Sequence, residues 1–547
     1  MKINKLFLKI LFIFLAFRFF SQNVQWVNSY SVSNCADGTA DAKGNAYITG
    51  YYNGSSIIGT YSINTNGNED IYIAKVNSSG TVKWVKSFGG SATDNGRCVS
   101  SNSSNIFLAG EFLSPSLVVG SNTLSTSSIG LFLCKMDTLG NIIWVTQYAN
   151  SSSSSVYVNS ICTDAAGNSY CAGNFIGTCV IGTSTLTAPG MGFEGYVTKL
   201  DINGNVIWCK TIGGSTNTEN INGITTDNAG NAYITGYFNF GSTTTVGNYT
   251  LSSSGSTDAF AAKLSPAGNV LWAKRFGGSG ADLGRSITSN NGPFLYIGGN
   301  YNPPFTMGSN TFTQAGIYIS RLDTSGTIIW ANNFEKNPVG SQNINLNKIL
   351  TDVGGNVYST GWFTGTTTFG SSTVSAVALS APSSDANADG FISKLDASGA
   401  FSWVKQITSS INSLQYGKSL AYTSGMIYCL GDAFSSSSID TFTFNTSSGE
   451  FGFLLKMAAN DVGIEENIKE LSVFVYPNPA NDKLFIELTE NTEELYYSLT
   501  DVTGKKVIHK KRIVSKESIN VSHYSKGIYF LQLEAKNQIA VKKIIIE

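Results

Sequence analysis

No histidine precedes His509, and charged side chains are scarce in the chain as a whole. His509 and His523 are the two histidines, and Asp, Glu, Lys and Arg make up 13% of the 547 residues, with a formal net charge of −1. Without histidine, the long N-terminal part cannot supply Ser-His-Asp or Cys-His nucleophiles or His-ligated zinc. The missing basic surplus argues against nucleic acid as a partner.

The chain also lacks long stretches with helical spacing, CxxC pairs and a regular cysteine framework. Gly, Ser, Thr, Asn, Tyr and Phe are abundant, which is typical of short strands joined by turns. Most cysteines stand where neighbouring repeats have apolar strand residues, so we expect buried free thiols. Cys162 and Cys171, which flank one tight turn, are the candidates for an exception. No residue set predicts a metal or a cofactor.

An apolar segment follows Lys2 and Lys5 at the N-terminus. It is about a dozen residues long and therefore shorter than a membrane-spanning helix. We interpret residues 1–21 as a secretory signal peptide with cleavage near Ser21–Gln22. No other segment is apolar and long enough to span a membrane, so the mature chain is predicted to have no transmembrane segment.

One phrase, of the type GNAYITGYF, recurs along residues 22–460. Its glycines are Gly50, Gly110, Gly173, Gly236, Gly299, Gly361 and Gly431. A second phrase follows each copy and consists of an apolar strand with a basic residue, a tight turn, and a strand with a tryptophan. The last copy ends before its tryptophan strand, whereas VQWVNSY with Trp26 stands unpartnered before the first copy. We therefore expect residues 24–30 to pair with the strand near Phe451 to Lys456 and complete the last sheet.

This region resembles the seven-bladed β-propeller repeat family of exported bacterial proteins, the SBBP-type repeats. The resemblance implies an all-β fold and an exported setting, but no single activity. The fold predicted for residues 22–460 is a seven-bladed β-propeller closed by the N-terminal strand. Each blade has four antiparallel strands, with long connections on one face only.

The sequence pattern changes after Asn460. Residues 461–470 form an acidic linker, and in residues 471–547 apolar and polar residues alternate as in the strands of a small β-sandwich. This segment resembles the type A C-terminal sorting domain of the type IX secretion system, which is typical of the Bacteroidota. The resemblance implies delivery across the outer membrane by that machinery, followed by release or surface attachment. The residues that carry it are Tyr476, Pro477, Asn478, Pro479, Gly504, Gly527, Tyr529, Lys542 and Lys543.

Residues present in every blade are expected to serve the scaffold, so we looked for a binding site where blades differ. The basic residue of the second phrase is one such scaffold residue, because its stem can cover the tryptophan. The position that opens each innermost strand varies, and it predicts a ring at the channel mouth: Ala36, Arg97, Asn159, Asn222, Arg285, Asn347 and Lys418.

Cations and amides at that ring suit an acidic or hydroxylated ligand. Trp362 and Tyr237 are candidate stacking faces, and we expect the long loops after each second strand to form a wall around the site. Replacing Arg97, Arg285 and Lys418 together by Ala is expected to abolish binding of an acidic ligand and to leave the melting temperature nearly unchanged.

The composition favours a binding protein for a glycan or another surface protein over an enzyme. One alternative is a secreted glycan hydrolase that uses loop carboxylates, with Asp94, Glu219 and Asp282 at matching positions. Another is a structural adhesin or surface-layer module. The predicted location is the cell surface or the medium.

Overall fold

We analysed a computed structural model of the chain. It describes residues 24–151, 155–214, 218–239, 243–290, 292–336, 343–371, 374–381, 388–409, 414–434, 436–445, 450–459, 469–470, 473–488, 495–501, 506–513, 518–535 and 538–547. The predicted signal peptide, most of the predicted linker and Gly504 lie outside these residues. The chain divides into two compact units, one of residues 22–460 and one that includes residues 461–547. Within the described residues, no helix is long and apolar enough to cross a membrane.

The larger unit repeats one arrangement of four antiparallel strands, ordered from an inner to an outer strand. The inner strands are β2 (Asn34–Ala40), β6 (Asp94–Ser101), β12 (Val156–Thr163), β18 (Glu219–Thr226), β24 (Leu283–Ser289), β30 (Ile344–Thr351) and β36 (Gln415–Thr423). The second strands are β3 (Ala46–Ile58), β7 (Asn105–Phe112), β13 (Ser169–Phe175), β19 (Ala232–Asn239), β25 (Phe294–Tyr301), β31 (Val357–Phe363) and β37 (Met426–Ala433).

The third strands are mostly buried, except for the first half of the strand Tyr61–Val76, which is exposed or half-buried. They are β4 (Tyr61–Val76), β10 (Ile129–Asp137), β16 (Glu194–Leu200), β22 (Thr257–Leu264), β28 (Gly316–Asp323), β34 (Asp389–Leu395) and β40 (Phe451–Ala458). The outer strands carry the tryptophans and are β5 (Val82–Phe88), β11 (Ile142–Ser151), β17 (Val206–Ile212), β23 (Val270–Phe276), β29 (Ile328–Lys336), β35 (Phe401–Ser409) and β1 (Val24–Tyr30).

The first strand of the described chain completes the last four-stranded sheet. β1 pairs antiparallel with β40, with Trp26 opposite Lys456 and Tyr30 opposite Gly452. The resulting sheet has the order β1-β40-β37-β36. This is the strand pairing that the sequence predicts. It covers an edge of β40 that would otherwise be open to pairing with another chain.

Within the larger compact unit, each set of four strands is called a unit from here on. Adjacent units of this kind are joined by a repeated pair of hydrogen bonds. Lys75 Nζ and Trp84 Nε1, opposite each other on β4 and β5, both donate to the carbonyl oxygen of Thr138 in the next unit, at 2.8 and 3.3 Å. The ammonium group also lies over the Tyr47 ring. The same two-donor arrangement recurs at the carbonyls of Ile202, Pro266, Thr324, Ala397 and Ser78. These bonds give the repeated basic residues a scaffold role.

The long connections between second and third strands fold into β-hairpins at the outer edge. They are β8 (Ser116–Val119) with β9 (Asn122–Ser125), β14 (Thr178–Ile181) with β15 (Ser184–Thr187), β20 (Thr243–Val246) with β21 (Tyr249–Ser252), β26 (Phe305–Met307) with β27 (Asn310–Phe312), β32 (Thr366–Ser371) with β33 (Val374–Ser380), and β38 (Ser437–Ile439) with β39 (Phe442–Phe444).

Three of these hairpins pair with the outer strand of the preceding unit: β14 with β11, β32 with β29, and β38 with β35. The expectation that these connections form a wall around the channel mouth is therefore wrong. Pairing with an outer strand satisfies backbone groups at an exposed sheet edge, and this draws the hairpins outward.

The C-terminal unit has two sheets. The larger has the order β41 (Lys469–Glu470), β48 (Gln538–Ile546), β47 (Gly527–Ala535), β44 (Leu495–Asp501) and β45 (Lys506–Ile513); the smaller has the order β42 (Val473–Tyr476), β43 (Lys483–Leu488) and β46 (Ser518–Asn520). Both sheets contribute buried side chains to one core, among them Leu484, Leu499 and Leu531.

Candidate functional site

The seven positions of the predicted ring share one backbone feature: each is the extra residue of a β-bulge. Between Cys35 and Asp37, for example, the register of β2 against β3 shifts and leaves Ala36 without an opposing residue. The same shift isolates Arg97, Asn159, Asn222, Arg285, Asn347 and Lys418 in the other inner strands. A bulge redirects the side chain of its extra residue, and bulges are frequent beside functional sites. The sequence located these positions but not the bulges.

The bulged residues come together around one cavity of about 370 Å³. Its lining contains all seven of them, together with neighbouring residues of every inner strand. Trp362 and Tyr237, the predicted stacking faces, are not part of this lining. Trp362 packs edge-on against Tyr416, with ring centroids 5.6 Å apart.

The three amide side chains of the ring join neighbouring inner strands. Asn159 Nδ2 donates to Ile221 O at 2.8 Å, Asn222 Nδ2 to Gly284 O at 2.7 Å, and Asn347 Nδ2 to Gly417 O at 2.9 Å. Each acceptor carbonyl directly precedes the bulged residue of the next unit. Each amide therefore uses one of its N–H donors in a hydrogen bond to the backbone of the next unit. The sequence did not indicate these bonds.

Two of the three predicted cations are neutralised by acids of the same sheet. Arg97 forms an ion pair with Glu111, whose side chain is 2% exposed, and its Nε donates to the same carboxylate at 2.8 Å. Lys418 forms an ion pair with Asp432, whose side chain is 4% exposed. Removing either cation would leave a buried carboxylate without its counterion. From the structure we therefore expect the Ala replacements to lower stability, in contrast to the expectation from the sequence.

A further cation and acid of the lining were missed by the sequence analysis. Lys348 and Asp37 each follow a bulged residue, and they form an ion pair with Nζ and Oδ1 3.5 Å apart. Asp37 also accepts hydrogen bonds from Ser419 Oγ at 2.6 Å and from the Val99 amide at 3.1 Å. The signal that could have found them is a charged residue at a position where the other units carry Cys, Ser or Gly.

Arg285 differs from the other cations of the cavity. Within the described part of the chain, no carboxylate lies in ion-pair distance of its guanidinium group, and its buried Nε has no hydrogen-bond partner. Burial lowers the pKa of Arg285, although a guanidinium group stays protonated in proteins. A buried donor without a partner is costly, so an acceptor brought by a ligand would relieve that cost.

The loop acids of the hydrolase hypothesis lie at junctions between units and not in the cavity. The side chains of Asp94, Glu219 and Asp282 are fully buried. Asp94 accepts hydrogen bonds from the amides of Gly90 and Ser114 and from the Ser114 hydroxyl group. Nowhere among the described residues do three His, Cys, Asp or Glu side chains form a group that could hold a metal ion. All eight cysteines are free, including Cys162 and Cys171.

In the C-terminal unit, Asn478 of the predicted sorting residues joins the last strand. Asn478, which stands between Pro477 and Pro479, donates from Nδ2 to Lys543 O at 2.7 Å and accepts at Oδ1 from the Ile545 amide at 2.8 Å. Tyr476 stacks on Phe485, and the Tyr529 hydroxyl group donates to Ser525 O at 2.8 Å. Gly527 begins β47, and Lys542 and Lys543 lie in β48.

Comparison with known families identifies both parts of the chain. Residues 143–174 and 207–239 match the family described as Beta-propeller repeat, and residues 474–547 match the family described as Secretion system C-terminal sorting domain. The chain therefore carries SBBP-type β-propeller repeats and a sorting domain of the type IX secretion system. The sorting domain marks the protein for export to the cell surface or the medium, as the sequence analysis predicts.

Individual proteins offer more distant similarity. An uncharacterized WD repeat-containing protein of Acanthamoeba polyphaga mimivirus is 25% identical over 336 residues, which cover 48% of this chain and 24% of that protein. A fungal alcohol oxidase in complex with copper has a TM-score of 0.35 at 10% identity. The match covers 96% of this chain and 99% of the oxidase chain. A variant of the Synechocystis apocarotenoid oxygenase has a TM-score of 0.35 at 11% identity, with 80% and 95% covered.

Proposed function

We propose that this exported protein is a seven-bladed propeller, closed by β1, that binds an acidic glycan at the cavity formed by its seven bulged residues. In this proposal residues 1–21 are the signal peptide, 22–460 the propeller, 461–470 the linker and 471–547 the sorting domain. The observation that carries the binding proposal is that Arg285 lines the cavity and has no carboxylate within ion-pair distance among the described residues.

Contacts between the first and last units support a closed ring. β2 lies against β36 as well as against β6, and each further inner strand lies against the next. Ser419 Oγ donates to Asp37 Oδ1, and the Cys35 amide donates to Asp432 Oδ1 at 2.8 Å. Seven inner strands that each contact two neighbours enclose a central cavity, which fits its lining by residues of all seven strands.

The chemistry of the lining favours an anionic ligand over a neutral one. Arg97, Lys348 and Lys418 already have carboxylate partners, so their positive charge is compensated. Arg285 retains its charge, and a guanidinium group binds carboxylates and sulfates through two parallel hydrogen bonds. Neighbouring hydroxyl groups, such as those of Ser160 and Ser286, provide contacts that sugar hydroxyl groups accept or donate to.

The two alternatives receive less support. The acids of the hydrolase hypothesis are buried at unit junctions, away from the cavity, so no pair of them faces a sugar there. A purely structural adhesin role does not explain why Arg285 lines the cavity without a carboxylate partner among the described residues. An acidic surface protein is the other ligand that the same charge would accept.

A glycan array carrying uronic-acid, sulfated and neutral oligosaccharides tests the proposal. The probe is the secreted protein after removal of the sorting domain, and the same sugars are assayed for hydrolysis. We expect binding to acidic glycans that weakens with salt, and no cleavage. Binding to an acidic surface protein but to no glycan would change the ligand class. Cleavage of any glycan, or a preference for neutral glycans, would contradict the proposal.

A further inference from the structure

Three junctions between units carry a pair of buried acids around a Gly-Gly dipeptide. In each pair, one acid lies in the third strand of a unit and the other lies at or just before the inner strand of the next unit. The pairs are Asp70 with Asp94, Glu194 with Glu219, and Asp258 with Asp282; the dipeptides are Gly89-Gly90, Gly213-Gly214 and Gly277-Gly278. In the other units this acid pair and this dipeptide are both absent from the matching positions.

The glycines are required by the acids. A Cβ on Gly213 would overlap Glu194 Oε2 and would stand 3.2 Å from Glu219 Oε2. A Cβ on Gly277 would overlap Asp258 Oδ1 and would stand 2.8 Å from Asp282 Oδ2. At these two junctions the two carboxylates of a pair thus converge on one backbone position, where their negative charges repel each other. At the remaining junction, a Cβ on Gly89 would overlap the Asp70 carboxylate.

At one junction a cation of the chain itself compensates this repulsion. Arg275 lies on the outer strand β23, opposite Phe260, and donates from Nη1 to Asp258 Oδ1 at 2.7 Å. In another unit, Gln406 stands at the strand position that matches Arg275 and donates a hydrogen bond to Asp389.

At the other two junctions, the matching residue is too short to reach the acid. Ser87 stands opposite Tyr72, and Thr211 stands opposite Tyr196, just as Arg275 stands opposite Phe260. Ser87 Oγ contacts the Tyr52 hydroxyl group at 2.6 Å, and Thr211 is exposed. Among the described residues, no cation therefore takes the position beside Asp70 or Glu194 that Arg275 takes beside Asp258.

Asp70 and Glu194 each have one carboxylate oxygen without a partner among the described residues, whereas both oxygens of Asp94 accept hydrogen bonds. Asp70 is 0% exposed and Glu194 is 1% exposed, and neither Asp70 Oδ1 nor Glu194 Oε2 has a hydrogen-bond partner. Their remaining oxygens accept backbone amides, from Asn66 at 3.0 Å in the case of Asp70. A buried carboxylate oxygen without a donor or cation is strongly disfavoured.

We propose that Asp70 and Glu194 anchor two sites for a divalent cation with oxygen ligands, Ca²⁺, which takes the position that the Arg275 guanidinium group occupies beside Asp258. Carboxylate oxygens are the ligands that Ca²⁺ prefers, and water completes its shell where the protein supplies few. With two carboxylates per site, we expect dissociation constants on the order of 10⁻⁴ to 10⁻³ M, as in weak extracellular sites.

The cation would join two units, because the acids of each pair come from consecutive units. Its first expected effect is therefore on stability and not on ligand binding. Ca²⁺ that binds only the folded state raises the melting temperature as its concentration exceeds the dissociation constant. The full chain, purified in EDTA, should gain a few degrees when CaCl₂ is added in the millimolar range, and NaCl of equal ionic strength should not reproduce the gain.

Replacing the short residues by arginine provides the sharpest variant. Ser87→Arg and Thr211→Arg together would supply the guanidinium group that the third junction already has. We expect this double variant to be as stable in EDTA as the original chain is in CaCl₂, and to lose the response to CaCl₂. The reverse change, Arg275→Ser, should add a Ca²⁺ response at the Asp258 junction.

Calorimetric titration with CaCl₂ gives the second readout. We expect weak binding that is lost in Asp70→Asn combined with Glu194→Gln, and increased in Arg275→Ser. The proposal is overturned if the original chain neither binds nor responds to CaCl₂, or if the arginine double variant responds as strongly as the original. It is also overturned if acidification stabilises the chain while CaCl₂ has no effect. In that case a proton shared by the two carboxylates of each pair, and not Ca²⁺, would relieve their repulsion.

Discussion

Trp26 and Lys456 stand opposite each other on β1 and β40, and both donate to the carbonyl oxygen of Ser78, at 3.1 and 2.9 Å. They are separated by nearly the whole length of the repeat region. Each of the other tryptophans that has this bond donates to the unit that follows it in the chain, whereas Trp26 completes the last unit and donates to the first. This relationship supports the proposed closure by the N-terminal strand.

The first prediction concerns this closure. Trp26→Phe keeps an aromatic ring but removes the donor to Ser78 O, and we expect a loss of about 1 kcal/mol in the free energy of unfolding. Deleting residues 24–30 should cost far more, since it also exposes the edge of β40. Chemical denaturation followed by tryptophan fluorescence and circular dichroism measures both. Trp403→Phe is the matched control, because Trp403 Nε1 has no partner within the described part of the chain, and it should cost less than Trp26→Phe.

The second prediction concerns the compensated cations of the cavity. Arg97→Met should destabilise the protein by about 1 to 3 kcal/mol, because Glu111 then stays buried without its partner. Adding Glu111→Gln should recover part of this loss. A double-mutant cycle from urea denaturation gives the coupling energy of the pair. Additive effects of the two substitutions would show that the ion pair does not stabilise the fold.

The third prediction is a pH dependence at the junction of Asp258 and Asp282. Burial raises the pKa of Asp282 to about 7; the Gly278 and Asn302 amides and Arg275 counteract this rise, and the Asp258 charge adds to it. Between the unfolded value of about 4 and about 7, the folded state binds more protons than the unfolded state. Stability should therefore fall as the pH rises through this range.

Asp282→Asn should flatten this slope, whatever it does to stability at a single pH. Urea denaturation between pH 4 and 8 in EDTA measures the slope for both proteins. A slope that is unchanged in the variant would assign the pH dependence to other groups.

The fourth prediction concerns export. In a host with type IX machinery, removal of residues 471–547 should leave the folded repeat region in the periplasm. Asn478→Ala removes the two hydrogen bonds that join Asn478 to Lys543 and Ile545 on β48. We expect this variant to be exported less than the original chain. Fractionation and immunoblotting measure the distribution. Surface delivery of the truncated chain at the original level would contradict the role of this domain.

Repetition explains which features of the fold could be predicted. The recurring glycines and tryptophans fixed the strand order within a unit, and the incomplete last copy indicated the pairing of β1 with β40. The hairpins at the outer edge were not predicted, because β14 meets β11 through backbone hydrogen bonds that carry no residue signature. The bulges escaped for the same reason, although they explain why the variable position turns towards the cavity.

The sequence predicted the positions of the candidate site but not which of its cations are paired with acids. Comparing units selected Arg97, Arg285 and Lys418, yet this comparison did not show that Arg97 and Lys418 have carboxylate partners and Arg285 has none among the described residues. The acids that compensate Arg97 and Lys418 lie on the second strand, directly after its repeated glycine, in Glu111 and Asp432. The matching residue beside Arg285 is Asn300. A search for charges across neighbouring strands would have found this difference.

The binding of polygalacturonate, a uronic-acid polymer, by the original protein and by Arg285→Gln tests the central claim most directly. A charge-assisted hydrogen bond contributes about 1.5 to 3 kcal/mol, so we expect the variant to bind at least about tenfold more weakly. Lys83→Gln, which removes an exposed cation from the outer strand β5, should bind as the original does and controls for net charge. If Arg285→Gln binds polygalacturonate as tightly as the original, or if Lys83→Gln weakens binding equally, the cavity is not the binding site.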